Sequence, residues 1–400
     1  MHNDNNVPEV NMYSTSSVGS FHTVLQDYKL EGMMMRYSRF VPRLYNFCLS
    51  LGMEPGKIMP SRAFCSDESQ GFPIILIAKQ FGTFPFNHGV VGGGVATDRH
   101  GPHASHGKDL VIIQASHVGY DPETQQFGIY RRNQTADCHQ GSNCGKLTEV
   151  MGWYREEYDF ACDNIFLEPA QQSGHQISIN NLLLQSDRNE GLMLALDQLI
   201  AHDANDNPML IRAFSTARRY QATPTLVKRI GDRWPTNERR PLGRMLTADL
   251  FTFRRQRIGE AEGRSHLEQN LINPMPWILT DPAPALAAAQ INTQVEFDRT
   301  YRTLKKEQGY QRRNLLFIAG LNIDISPREE QIFPLTKFIP WAAYVQTADG
   351  AHRVLEQQEL YQALMACDSE NPHKVDLEVA ISVMEKTKEV SISFDFRHPR

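Results

Sequence analysis

An α/β fold is what this sequence predicts: a mainly parallel sheet flanked by helices, with an additional helical block. Three observations lead there. Apolar strand-length runs alternate with segments of helical spacing, the pattern of an α/β core. Leu110-Val111-Ile112-Ile113 is continuously apolar, as in a strand covered on both faces. Residues from about 176 to 310 have mostly helical spacing, which reads as an elaboration inserted into that core.

Along the chain, residues 1–25 are polar and Asn/Ser-rich, a flexible N-terminal segment. Leu30–Leu51 carries Met34, Phe40, Leu44, Phe47, Cys48 and Leu51 at helical spacing. Lys57–Phe64 reads as a short strand, with Cys65 just beyond it. Gly71–Ala78 holds an Ile/Leu run that fits either a strand or a buried helix. Gly89–Gly101 is loop-like around Gly92-Gly93-Gly94. Asp109–Ala115 is a strand that His117 follows directly. Phe127–Tyr130 reads as its partner across the turn Asp121-Pro122-Glu123. Gly145–Tyr158, Asn181–Ala204 and Ala285–Gln308 read as helices. Asn314–Ile325 and Lys337–Thr347 read as strands, Ala363–Val390 is mixed, and Val390–Phe396 alternates like an edge strand. The organisation is a main domain over 26–348 and a C-terminal extension, 349–400, packed on it.

Composition excludes several classes of function. The 400 residues carry 41 Lys+Arg against 46 Asp+Glu, net −5, too even for a protein that neutralises phosphates, so no nucleic-acid partner is expected. No apolar run approaches the ~20 residues of a membrane span. The N-terminus lacks a basic patch followed by an apolar run, so no secretory leader is expected. Six cysteines in 400 residues are too sparse for a disulfide scaffold, which points to a reducing, cytoplasmic setting with free thiols or a metal site.

Histidine is unevenly spread. Six of the fourteen (His88, His100, His103, His106, His117, His139) fall between 88 and 139, where an even spread would put about two. Cys65, Cys138 and Cys144 flank or end the same region, and His with Cys in such a protein points toward zinc. The plainer alternative is that loop histidines are common and buried cysteines act as small hydrophobes. Position sharpens the metal reading. Cys65 and His117 follow candidate strands, and Cys144 begins a helix whose N-terminus favours a thiolate. Three such ligands with a fourth position open is the arrangement of a catalytic zinc. Asp67, in Cys65-Ser66-Asp67-Glu68, could accept a hydrogen bond from zinc-bound hydroxide, bind the zinc itself, or simply cap a helix. Cys138 with His139 is a spare pair of donors. His100, His103 and His106 read as solvent-facing or as a proton-shuttle patch. Gly92–Gly94 lacks a following Gly-Lys-Ser/Thr, so it reads as backbone passing close to the site rather than a phosphate loop.

These residues carry a family resemblance. Cys65-Ser66-Asp67 resembles the first zinc-ligand motif of β-class carbonic anhydrases, Cys-x-Asp-x-Arg. The larger match is to the limiting-CO2-inducible B protein (LCIB) family, the θ-class carbonic anhydrases. Lys108–Gly119 is similar to that family's hydrophobic strand followed by Pro-His-Val/Ile-Gly, and Ser142-Asn143-Cys144-Gly145 to its Ser-x-Cys-Gly-Ala. Phe84-Pro85-Phe86 with Gly89 to His103, and Ile318–Ile323 with Phe333-Pro334, resemble further segments in the same order.

The resemblance implies a β-carbonic-anhydrase-like fold over 26–348 and a homodimer. It makes Cys65, His117 and Cys144 ligands of Zn2+ and Asp67 the catalytic carboxylate. The implied activity is reversible hydration of CO2 to bicarbonate, zinc-bound hydroxide attacking CO2, with no organic cofactor. Phe84 and Phe86 are candidate walls of a small apolar CO2 pocket. Three departures stand out. Ser69 occupies the place of the Arg that would hold the Asp off the metal; Arg62, Arg99, Arg131 and Arg132 are candidates to replace it. Ser116 stands for the Pro before the His, and Lys146 for the Ala after Cys-Gly. The missing Arg leaves a second reading open, a catalytically silent zinc-stabilised protein that binds a partner or senses bicarbonate. A zinc hydrolase of esters or amides is a third, and would need a larger cleft.

Overall fold

The computed structural model describes residues 27–95, 109–133, 140–172, 174–180, 191–201, 218–255, 264–328, 331 and 333–389. The N-terminal segment 1–25, Arg99, His100, His103, His106, Cys138, His139 and the strand expected at Val390–Phe396 lie outside the described residues.

The central sheet is built from β1 (Met35–Arg36), β2 (Ile58–Ala63), β3 (Phe86–Asn87), β4 (Asp109–Asp121), β5 (Leu315–Ile325), β6 (Leu335–Gln346) and β7 (His352–Leu355). Its order is β1-β6-β5-β4-β2-β3, with β7 and Gln126–Phe127 paired on β6 and β4. The middle is parallel: β5 on β4, β4 on β2 and β2 on β3. The β6 side is antiparallel. The predicted α/β class with a mainly parallel sheet between helices is therefore what the chain adopts.

Alternation along the two central strands explains the layers. Val111, Ile113 and Ala115 of β4, with Leu316 and Ile318 of β5, pack against helices α1 (Tyr37–Ser50), α2 (Gly71–Phe81) and a later helix, Gln357–Ala366. Leu110 and Ile112, with Leu315 and Phe317, face Phe297 and Leu304 on the opposite side. A period of two thus feeds both cores, and a strand buried on both faces reads as one apolar run.

The Ile/Leu run that fits strand or helix is a helix, α2. Pro73 lies in its first turn, where a missing N–H costs nothing, and Gly82 ends it at φ +72 with its N–H on the Ala78 carbonyl at 2.9 Å. The expected strand ending at Ala115 continues to Asp121, so His117 sits inside β4 rather than after it. Backbone pairing with β5 extends to Tyr120, and that parallel partner keeps the chain straight past the apolar run. The helix expected from Leu30 begins only at Tyr37, after β1. Phe127–Tyr130 is two short strands, broken at Gly128.

The 20-residue helix α3 (Gly145–Asn164) follows the site. The longer helices of the elaboration beyond it lie in its second half: α4 (Arg264–Leu271), α5 (Met275–Thr280) and the 23-residue α6 (Pro284–Lys306). Its described first half mixes short antiparallel strands with the short helices Leu196–Leu199 and Pro224–Ile230. Gly191–Leu194, expected as helix, pairs with Phe251–Arg254, and Gln176–Ile179 pairs with Ile165–Leu167 and Arg218–Gln221. Four-residue strands are too short for alternation to outweigh a chance helical spacing.

At the C-terminal end, α7 (Gln357–Ala366) buries Leu360 and Leu364 against the α1 face, and Arg43 of α1 donates to the Met365 carbonyl at 2.7 Å. Val375 N–H bonds Lys79 O at 2.8 Å, and α8 (Leu377–Lys386) then buries no residue.

Candidate metal centre

Three chain segments meet beside the parallel strands of the sheet. β2 ends at Ala63 and delivers Cys65 two residues later. β4 runs alongside it in register Ala63 to Gln114, which brings His117 to the same end. Cys144 is the N-cap residue of α3, reached through a cis Asn143–Cys144 peptide bond. The Cys65 and Cys144 sulfurs are 3.8 Å apart, and one donor atom from each of Cys65, His117 and Cys144 lies within 4.8 Å of the others. All three residues are buried. Among the described residues, this is the group of His, Cys and carboxylate side chains that could hold a metal ion.

The imidazole is fixed from behind. His117 Nδ1 donates to Asp324 Oδ2 at 2.9 Å, and both side chains are fully buried. The same oxygen accepts from Ser69 Oγ at 2.9 Å and Gln70 Nε2 at 2.7 Å, while Thr336 Oγ1 donates to the other oxygen at 2.9 Å. Asn322 Nδ2 holds Gln70 Oε1 at 2.7 Å and Tyr37 Oη donates to Asn322 Oδ1 at 2.8 Å. With Nδ1 committed, His117 Nε2 is the free ring nitrogen, and it has no hydrogen-bond partner although buried. An orphaned buried nitrogen beside two sulfurs is what a ligand set for a thiophilic cation requires. A carboxylate behind the imidazole is the usual outer support of a metal-binding histidine.

The sulfurs differ in their surroundings. Cys65 Sγ accepts from Gly92 N–H at 3.3 Å. The Cys144 thiol, then His117 and the Gly92 N–H, hold the Cys65 thiol far below its usual range against the opposing effect of burial. The ionised Cys65 and burial together push the Cys144 thiol up. Burial opposes a charge on His117, but Cys144 and Asp324 outweigh it and move the imidazole well above its ordinary value.

Beside the sulfurs opens a pocket of about 680 Å³, lined by Cys65, Ser66, Asp67, Cys144, Gly145, Lys146 and Glu149. Asp67 caps a short 3-10 turn, Glu68–Gln70, accepting from Ser69 N at 3.1 Å, so its capping and pocket roles coexist. Burial raises its carboxyl above the ordinary Asp value. Arg132 Nη2 stands 3.9 Å from Asp67 Oδ1, and Arg132 also pairs with Glu68 and lies 5.2 Å over the Tyr130 ring. Among the described arginines considered as replacements at Ser69, Arg132 faces Asp67, while Arg131 is engaged with Asp121 and Glu123. Lys146 pairs with Glu149 at 3.2 Å. Phe84 and Phe86, expected as walls, do not line the pocket and are 71% and 39% exposed.

Sequence reasoning missed Asp324, Gln70 and the Gly92 N–H. Asp324 lies two residues after Asn322 near the end of an otherwise apolar strand, and a buried carboxylate in that strand was the available signal. Ser69, read as a loss, is a donor to that carboxylate.

No known family profile matches the chain, and no curated protein matches it. Among solved structures it is similar to PtLCIB4, described as a homologue of the limiting CO2-inducible protein LCIB, at 10% identity and TM-score 0.46, over 84% of this chain and 98% of that one. It is also similar to LCIB itself, at 11% identity and TM-score 0.38, over 82% and 96%. The fold class stands on the sheet order and pairing described above. No helix among the described residues is long and apolar enough to cross a membrane.

Proposed function

We propose that the protein is a zinc-dependent carbonic anhydrase that interconverts CO2 and bicarbonate. The observation that carries the proposal is the convergence of Cys65, His117 and Cys144, with an unpartnered Nε2, beside the pocket that holds Asp67. Cys65, Cys144 and His117 Nε2 would hold the ion, and no other His, Cys or carboxylate among the described residues joins them, which leaves a coordination position for solvent. Bound there, zinc supplies Lewis acidity that brings a water's pKa toward neutrality.

The chain's own groups divide the remaining work. Asp324 keeps the His117 proton on Nδ1 and the ring in one orientation. Asp67 offers a carboxylate at the pocket wall that can accept a proton or orient a donor there. Arg132 favours the ionised form of Asp67 and holds it on the protein side. A homodimer and a cytoplasmic setting belong to the same proposal.

Stopped-flow CO2 hydration on the zinc-loaded protein tests it. Activity that disappears in Cys65→Ala and Asp67→Asn supports the enzyme. Inactivity at every pH from acid to alkaline leaves the silent, ligand-binding protein.

One observation favours a second reading. The pocket is far larger than a three-atom substrate needs, and Asp67, Lys146 and Glu149 stand in its wall. A metal-assisted hydrolase of esters or amides fits that space. Hydrolysis of a chromogenic ester faster than CO2 hydration would select it.

A further inference from the structure

The loop Val91–Val95 is held far more firmly than a surface connection needs. Gly92 has φ +73, and a Cβ on Gly93 would lie 2.1 Å from the Ala115 carbonyl oxygen, so this backbone is pressed onto β4. Gln114 Nε2 donates to Gly93 O at 3.2 Å. From the other side, Asn292 of α6 donates through Nδ2 to Gly92 O at 2.9 Å and to Ser116 Oγ at 2.9 Å. Ser116 immediately precedes His117, so this amide ties the loop to the strand that carries the imidazole. Asn292 is fully buried and is itself braced: Asn270 Nδ2 donates to its Oδ1 at 2.8 Å and to Glu296 Oε1 at 2.6 Å. Glu296, also fully buried, accepts from Val95 N at 3.1 Å and Arg299 Nη2 at 2.6 Å and pairs with His266. The bracing runs from α4 and α6 into the Gly92 backbone N–H, which donates to the Cys65 sulfur at 3.3 Å.

We infer that Asn292 is a positioning residue for the Cys65 thiolate: it locks Gly92 so that the Gly92 N–H points at the sulfur and withdraws charge from it. The inference rests on the metal-centre reading and deepens it. A hydrogen bond to a ligating thiolate lowers its donor strength, which leaves the bound ion a stronger Lewis acid. An asparagine that only filled space and satisfied neighbours would have no effect on the sulfur's electronic state.

The test uses Co2+ and 113Cd2+ as probes on the full chain. The wild type is expected to bind one Co2+ with thiolate-to-cobalt charge transfer, and its Gly92 amide proton is expected to show scalar coupling to 113Cd. Asn292→Asp keeps the volume but cannot donate to Gly92 O. It is expected to bind metal ~10-fold more weakly, to shift the charge transfer to lower energy and to lose the coupling. Asn270→Ala, which removes the brace on Asn292 Oδ1 together with the donor to Glu296 Oε1 but leaves the Asn292 amide itself, is expected to shift the band less in the same direction. Unchanged band energy and retained coupling in Asn292→Asp would overturn the inference while leaving the metal centre standing. So would a wild-type Gly92 amide without coupling, a result that needs no variant to fold. Absence of any thiolate charge transfer overturns the inference and the metal centre together.

Discussion

Two aspartates stand near the same imidazole and sulfurs, and their surroundings could hardly differ more. Asp324 is fully buried in β5 and takes four hydrogen bonds, from His117, Ser69, Gln70 and Thr336. Asp67 lines the open pocket with a 13% exposed side chain, accepts from Ser69 N at 3.1 Å and more distantly from Asn143 Nδ2 at 3.5 Å, and faces Arg132 at 3.9 Å. A carboxylate with every lone pair engaged has nothing left to offer a substrate; it fixes geometry. One with spare lone pairs and access to solvent can exchange protons. Under the proposed function, this contrast gives Asp324 the supporting role and Asp67 the chemical one.

Mutating each side should separate stability from turnover. The largest effect is expected in Asp324→Ala, which leaves several buried donors without an acceptor. Unfolding in urea should show a loss of ~3 kcal/mol or more, and competition with a chromophoric chelator should show 10–100-fold weaker zinc binding. Asp67→Asn should do the reverse. CO2 hydration is expected to fall ~100-fold or more, with zinc affinity nearly unchanged. Its stability should not fall either. Burial raises the Asp67 carboxyl, so the folded chain holds that proton more tightly than the unfolded chain. Stability therefore declines as pH climbs from the ordinary Asp range through the folded value, and at neutral pH the wild type carries a penalty that the amide lacks. If Asp67→Asn proves as destabilising as Asp324→Ala, the division of roles is wrong.

Smaller effects come from the rim. Arg132→Gln removes the cation facing Asp67, so the acid limb of a pH–rate profile is expected to move to higher pH, with a few-fold loss near neutrality. A limb that stays in place would show that Arg132 serves Glu68 alone. Lys146→Ala should change stability by less than ~0.5 kcal/mol, since its partner Glu149 is half-exposed and also pairs with Arg264.

The same contrast explains what could be read from the chain. Cys65, His117 and Cys144 were legible because sulfur and imidazole are rare, cluster in sequence and fall near element ends. The central strands were legible because a strand buried on both faces must be continuously apolar. Asp324 was not, because its role depends on parallel register between β4 and β5, which places it beside His117 from 207 residues away. Arg132 was one of four candidates until the fold brought it to Asp67. The strands within 176–255 escaped notice because each is four residues or fewer, and their pairing is set by tertiary contacts rather than local pattern.

The most direct test of the account is X-ray absorption at the zinc edge on the purified, zinc-loaded protein. The account predicts two sulfur scatterers at ~2.3 Å and two nitrogen or oxygen scatterers at ~2.0–2.1 Å, with one sulfur lost in Cys65→Ser and the other in Cys144→Ser. A shell without sulfur, or one that both substitutions leave intact, would contradict it.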